Sequence, residues 1–403
     1  MQRSEHMSLQ TELMAKLAAD KPELISLRRY LHAHPEVSYH EKHTAAYIKH
    51  YYEQLGMTPQ DFGTGYGFVV DIHGGLPGQT LAVRADFDAL PVQEENDLPF
   101  KSVNPGVMHA CGHDVHTAYL MVLAKALNEL RDQLHGTIRI LHQPAEEVAP
   151  GGAPDMIAGG VLTGVANVIG AHIQTTMPTG YIGYHAGPTQ AGGARFDLTI
   201  TGHGGHASMP QLSNDAIVAG SYFVTAAQTI VSRRLDPFAF GTVTIGSFDG
   251  ASAAYNAIRQ QVVLKGDVRV MAEDTRKLIH QQVATLAKGL EAMFGVTCDL
   301  QYQEGAPVMV NDPDFTDQVA TALKSTNLAG VTEVGDCGAL NPSEDFAFYN
   351  HYVPSTYFYV GAAVADGKVH PHHSPDFLVN EDSLLIAAEA MGTAVVAYSQ
   401  AQG

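Results

Sequence analysis

At 403 residues the chain is longer than one hydrophobic core usually supports, so two domains are expected, and 45% apolar against 16% charged residues gives each enough to bury. Its 23 Lys and Arg residues against 42 Asp and Glu leave a net charge of −19, which repels phosphate backbones and anionic headgroups and excludes nucleic acid and membrane surfaces as partners. Cys111, Cys298 and Cys337 are too few for a disulfide framework, Met1 to Asp20 shows no leader pattern, and no apolar stretch approaches ~20 residues, so a soluble cytoplasmic protein is expected.

From Pro22 to about Leu55, Leu24, Leu27, Tyr30 and Leu31, then Ala45, Ile48, Tyr52 and Leu55, recur at helical spacing. They predict two helices broken at His34-Pro35. Gly67 to Gly74 and Thr80 to Arg84 read as short strands joined by a turn. Thr117 to Leu130 predicts a helix apolar on most faces and therefore buried, and Gly136 to His142 another strand. Strand, helix, strand in this order predicts an α/β fold with a parallel, doubly wound sheet, whose strand ends collect functional groups.

The texture changes near Gly187. A strand from Arg195 to Thr201, a helix from Asp215 to Arg233, strands from Phe240 to Phe248 and Gln261 to Val270, and a helix from Asp274 to Phe294 predict an inserted α+β (ferredoxin-like) domain. The expected boundaries are 1–186 and 305–403 for the larger domain and 187–304 for the insert, with a closing helix from Glu381 to Tyr398.

Cys111-Gly112-His113 places a thiol and an imidazole two apart where a loop opens into the buried helix, and both side chains ligate zinc and similar cations. Glu146-Glu147 follows the strand ending at His142; of such a pair one carboxylate can ligate a metal while the other holds a water. Gly151-Gly152 and Pro144 mark that stretch as a shaped loop. His172 follows the apolar run Val165 to Ala171, and His373 lies in His370-Pro371-His372-His373-Ser374-Pro375, too rich in imidazole and proline for core. Singly each is more often structural than catalytic, but four strand ends each offering a ligand are hard to explain by chance.

The motifs LRRYLHAHPE (27–36), VRADFDALP (83–91), MHACGHDVH (108–116), QPAEE (143–147), GGAPDMIAGGVL (151–162), GHGGHAS (202–208), SEDFAFY (343–349) and HSPDF (373–377) extend over nearly the whole chain. In their order and spacing the sequence resembles the hippurate hydrolase and N-acyl-amino-acid amidohydrolase branch of the aminoacylase and carboxypeptidase-G metallopeptidase superfamily, which includes plant hydrolases of indole-acetyl-amino-acid conjugates. The resemblance implies a catalytic α/β domain interrupted by a smaller lid and dimerisation domain, and a homodimer acting on N-acyl amino acids or small peptides. By the same resemblance Cys111, His113, Glu147, His172 and His373 hold two divalent ions, Zn²⁺ or Mn²⁺ with Co²⁺ and Ni²⁺ also compatible. Glu146 is then the general base and Asp86 an acid orienting a ligand, with Asp114 a second acid of that kind. His206 reaches across the dimer to the developing oxyanion, and Asn256 and Arg269 hold the substrate carboxylate.

The chain departs from its relatives at Arg259, at Pro342 and in Ile173 to Pro178, so its pocket wall and lid contacts are expected to differ. Gly63-Thr64-Gly65-Tyr66-Gly67 does not mark a dinucleotide site, because a strand follows where a helix N-terminus is required. Two rival readings remain at this stage: a thiol hydrolase with Cys111 as nucleophile, which would leave Glu147, His172 and His373 without a role, and a non-catalytic binding protein on the same fold.

Overall fold

The computed structural model describes residues 8–251 and 254–403; of the stretch read as lacking a leader, residues 1–7 lie outside it. In chain order come α1 (Leu9–Ala19), α2 (Lys21–Ala33), α3 (Lys42–Gln54), β1 (Gln60–Asp61), β2 (Phe68–His73), β3 (Leu76–Asp86), α4 (His113–Glu129), β4 (His135–Gln143), α5 (Gly152–Ala158), β5 (Val165–Pro178) and β6 (Tyr181–Tyr184). There follow β7 (Gly187–Gln190), β8 (Gly192–Thr201), β9 (Gly205–His206), α6 (Ala216–Arg234), β10 (Gly241–Asp249), β11 (Ala257–Ile258), β12 (Gln261–Val270), α7 (Glu273–Phe294) and β13 (Thr297–Glu304). The chain closes with β14 (Met309–Asn311), α8 (Pro313–Ser325), β15 (Glu333–Asp336), β16 (Ser355–Ala363) and α9 (Asp382–Gln400).

Two compact units result: one from the described residues of 1–187 with 310–338 and 345–403, the other from those of 188–309 with 339–344. In the larger unit an eight-stranded mixed sheet has the order β1-β2-β4-β3-β5-β16-β6-β15. Its centre is parallel (β4 with β3, β3 with β5, β5 with β16) and so is the edge pair β6 with β15, while β2 on β4 and β6 on β16 are antiparallel, so the expected parallel sheet is mixed. Nor do β2 and β3 form a pair. The Gly74 N–H bonds to the Gly136 carbonyl (2.8 Å) and the Leu76 N–H to that of Leu134 (3.0 Å), so the turn fastens onto the start of β4, which slots between the two strands.

Fourteen of the seventeen residues of α4 are buried, which fits a central crossover between β3 and β4 and not a surface helix. It packs with α1, α2 and α9 over the sheet. Leu9, Leu13 and Leu17 bury α1 through a four-residue spacing on one helix face. On β16, Phe358 and Val360 join this core, whereas alternation sends Tyr357 to the other face, where its ring meets that of Phe346 at 4.7 Å. Both faces of the sheet are thereby covered.

In the smaller unit β10-β12-β8-β13 form an antiparallel sheet covered by α6 and α7, a βαββαβ order in which β13 was not foreseen. Phe196, Leu198, Ile200, Phe223, Leu264, Val268 and Val283 build a core of its own. Among the described residues no helix is long and apolar enough to cross a membrane.

Candidate metal centre

Glu146 and Glu147 follow β4, Cys111 stands two residues before α4, His113 is the first residue of α4, and His373 lies on the loop between β16 and α9. His172 was expected at the end of its strand; instead β5 runs on to Pro178. Since β3 and β5 are parallel with Arg84 level with Gly170, His172 stands level with Asp86 at the carboxyl edge of β3. In a parallel sheet that edge is where ligands collect.

There the side chains converge. Cys111 Sγ is 3.4 Å from His172 Nε2, His373 Nε2 is 3.3 Å from Glu147 Oε1, and His113 Nε2 is 3.8 Å from the same oxygen. The donor atoms of Cys111, Glu147 and His373 lie within 4.8 Å of one another, as do those of His113, Glu146 and Glu147. Glu147 belongs to both triads.

Three residues near this cluster take left-handed backbone: Gly112 (φ 96°), Ala145 (φ 54°) and His373 (φ 64°). At Gly112 a Cβ would lie 2.4 Å from Ile173 Cδ1, so only glycine lets the chain turn into α4 between Cys111 and His113. Ala145 and His373 hold this conformation without being glycine, at about 1–3 kcal/mol each, and strain of this kind gathers at functional sites.

Hydrogen bonds fix the imidazoles. His172 Nδ1 donates to the Ile173 carbonyl (2.6 Å) and His113 Nδ1 to the Asp88 carbonyl (2.9 Å), leaving each Nε2 for the interior of the cluster. His113 Nε2 and Glu147 Oε1 are buried and make no hydrogen bond, which is rare for such atoms and is what a cation between them would resolve. The donor set, one sulfur with imidazoles and carboxylates, suits zinc or a related ion.

Asp86, expected to orient a ligand, accepts from His116 Nδ1 (2.7 Å) and Arg84 (2.6 Å) and lies 3.7 Å from His113 Nε2. Asp88 is the acid that touches His113 Nδ1, at 3.2 Å, and it also takes the Glu147 N–H at 3.1 Å. Asp114 pairs with Arg28 and His32, both at 2.8 Å, and so braces α4 on α2. His116 Nε2 accepts the Ile173 N–H (3.0 Å), which removes it as a ligand despite its closeness. His372, adjacent to the predicted His373, accepts the Thr175 N–H at Nε2 (3.4 Å) and turns Nδ1 toward Cys111 Sγ at 3.7 Å. The signals for these supporting groups were in the sequence: Asp88 is two beyond Asp86, and His116 one helical turn beyond His113.

Burial draws the His113 imidazole down, but the carboxylates of Asp86, Asp88 and Glu147 together outweigh it and hold its pKa at about 10. Burial, then the negative charges of Glu147, Glu146 and Asp86, push the Cys111 thiol well above its ordinary value. Both groups thus carry protons at neutral pH, and a cation must displace them. Loading the metal-free protein is expected to release about two protons, so that apparent affinity rises by up to about 100-fold per pH unit below these pKa values. Metal titration calorimetry in buffers of different ionisation enthalpy measures this, and a pH-independent affinity would refute it.

The other predicted residues belong to the smaller unit. His206, exposed on β9, accepts the Ser208 N–H at Nδ1 (3.2 Å). Strand β9 pairs with β11, and the Ala207 N–H bonds to the Asn256 carbonyl (2.9 Å), so His206 and Asn256 share one ribbon. Arg269 lies at the other end of β12, about 26 Å along the strand from Gln261. Its guanidinium holds Ser343 Oγ (2.6 Å) and Asp267 (3.0 Å). Within one smaller unit Arg269 is therefore not brought to the His206–Asn256 ribbon.

Residues 82–397, which include all of the converging side chains, match the model of peptidase family M20/M25/M40. The chain belongs to this family. It is 40% identical over 291 residues to an N-acyl-L-amino acid amidohydrolase of Geobacillus stearothermophilus, covering 72% of this chain and 78% of that one. A solved structure from methicillin resistant Staphylococcus aureus is 50% identical, with a TM-score of 0.92 over 97% of this chain and 100% of the other. YXEP of Bacillus subtilis, a dinuclear metal binding peptidase from the M20 family, is 30% identical, with a TM-score of 0.81 over 95% of this chain and 99% of that chain. The M20 chain described here is an amidohydrolase.

Proposed function

We propose that this M20 enzyme hydrolyses the amide bond of N-acyl amino acids or small peptides at a centre of two divalent cations held by Cys111, His113, Glu147, His172 and His373. The observation that carries the reading is the pair of buried atoms without hydrogen bonds, His113 Nε2 and Glu147 Oε1, at the meeting point of two triads that share Glu147. The dinuclear site of YXEP and the substrate class in the name of the Geobacillus relative support it. Bound there, the cations would acidify water and polarise the scissile carbonyl.

The remaining steps fall to the protein. Glu146, its Oε1 steadied by the Asp345 N–H at 3.3 Å, accepts the proton of the attacking water and passes it to the leaving amine. Asp88 and Asp86 keep His113 and its neighbours oriented. His206, whose glycine neighbours allow close approach, stabilises the oxyanion from the partner subunit of a homodimer, and Asn256 on the same ribbon and Arg269 hold the substrate carboxylate. The smaller unit then serves as lid and dimerisation domain of a cytoplasmic enzyme. A thiol mechanism is disfavoured because it would leave Glu147, His172 and His373, which the fold brings beside Cys111, without a role.

Amine release from N-acetyl, N-benzoyl and longer acyl amino acids and a few dipeptides, before chelation, after it, and after return of Zn²⁺ or Mn²⁺, tests the reading. Turnover is expected to vanish with chelator and return with metal. Turnover that survives chelation and dies with a thiol reagent would transfer the chemistry to Cys111.

A further inference from the structure

We infer that Glu41 is a positioning residue for the general base, acting through the backbone of Ala145. This rests on the reading of Glu146 above. Glu41 stands at the start of α3, fully buried, 104 residues from the loop it serves, and its Oε1 accepts the Ala145 N–H at 2.8 Å. Its other oxygen, Oε2, is buried without a hydrogen bond, and burial pushes the carboxyl up to about 7. A carboxyl kept in so unfavourable a place, where an apolar side chain would pack at less cost, is explained by what it holds.

What it holds is a residue in the wrong backbone region for its type. Ala145 has φ 54°, a conformation that L residues disfavour and glycine adopts freely. Glu146 follows immediately, so the direction in which its carboxylate leaves the chain depends on that left-handed turn. On the far side the Glu147 N–H is held by Asp88 at 3.1 Å, and the Ala145 carbonyl accepts the Gly152 N–H at 3.0 Å. Two buried carboxylates from distant parts of the sequence thus grip the backbone on either side of the base. Asp88 also touches His113, whereas Glu41 touches none of the proposed metal ligands in the hydrogen bonds described, so its influence falls on Glu146.

The test uses the metal-loaded full chain. Glu41→Asp keeps the charge but withdraws the acceptor by one methylene; kcat is expected to fall about tenfold to 100-fold, with KM within about threefold and bound metal unchanged. Glu41→Gln keeps an acceptor of the same reach and is expected to stay within about threefold of wild type. Ala145→Gly, which needs no clamp to reach positive φ, should restore part of the kcat lost by Glu41→Asp. Amide exchange across residues 145–147 needs no substrate, and should speed up in Glu41→Asp and not in Glu41→Gln. Unchanged exchange in Glu41→Asp, equal damage from Gln and Asp, or no relief by Ala145→Gly would overturn the inference. An inactive or chelator-insensitive wild type would instead overturn the proposed function, and the exchange result would still decide the role of Glu41.

Discussion

Glu146→Gln is expected to lower kcat by about 10²–10⁴-fold while KM, bound metal and melting temperature stay near wild type. Glutamine has the shape of glutamate, and its side-chain oxygen can still accept the Asp345 N–H now 3.3 Å from Glu146 Oε1, so the loop should keep its form. What the proposed mechanism would lose is the capacity to take a proton from water and return it to the amine. A variant that binds metal fully and turns over as fast as wild type would remove Glu146 from the chemistry. If neither protein turned over any acyl amino acid, the reading of the fold as a binding protein would gain ground.

The largest stability effect is expected at Arg84. This residue is 1% exposed, and its guanidinium reaches Asp86 at 2.6 Å, Asp345 at 2.8 Å and Gln143 at 3.0 Å. Arg84→Met fills the space but leaves two buried carboxylates without their cation, a change that costs about 3–5 kcal/mol for a broken buried pair. Burial alone would raise the Asp86 pKa, yet Arg84 first, then His113 and His116, hold it well below the ordinary carboxylate range. A depressed folded pKa adds stability that is present above the unfolded value, about 3.9, and fades as pH falls. The gap between wild type and Arg84→Met should therefore be widest near pH 7 and narrow below about pH 4. Urea unfolding midpoints at the two pH values would show it; a constant gap would mean that packing, not charge pairing, sets the cost.

The side chains that converge at the candidate centre stand out in the sequence because each is a reactive residue type beside a glycine, a proline or the end of an apolar run, while their roles there came from the family resemblance. The central order β3-α4-β4 was legible for the same kind of reason: α4 is apolar on most faces and the flanking strands are short and β-branched. What escaped depends on contacts distant in sequence. The insertion of β4 between β2 and β3 follows from crossover geometry, since the turn at Gly74 would suit a hairpin equally well. The length of β5 was cut short because the polar His172, Gln174 and Thr175 break the apolar run, although β16 carries the strand onward through Ile173 to Pro178. Asp88 was not singled out for want of geometry: it sits in one motif with Asp86, and only the fold shows that Asp88 is the acid facing His113 Nδ1 while Asp86 accepts from His116. Glu41 offered no local signal.

His373 sets the proposed centre apart from a closed cage. Its side chain is 53% exposed, whereas those of His113 and Glu147 are 1% and 7% exposed and Cys111 and His172 are buried. Four of the proposed ligands are walled in by α4, β5 and the loop after β4, and the fifth stands on a proline-bounded loop fastened by the His373 N–H on the Ala110 carbonyl (2.8 Å), the Glu95 N–H on the Pro375 carbonyl (2.9 Å) and the Thr175 hydroxyl on the His370 carbonyl (2.7 Å). If the proposed centre holds its ions with these five side chains, the exposed imidazole is the one that solvent reaches most readily: a change at His373 would then alter the rate of metal exchange more than the strength of retention, which would rest on the four buried side chains.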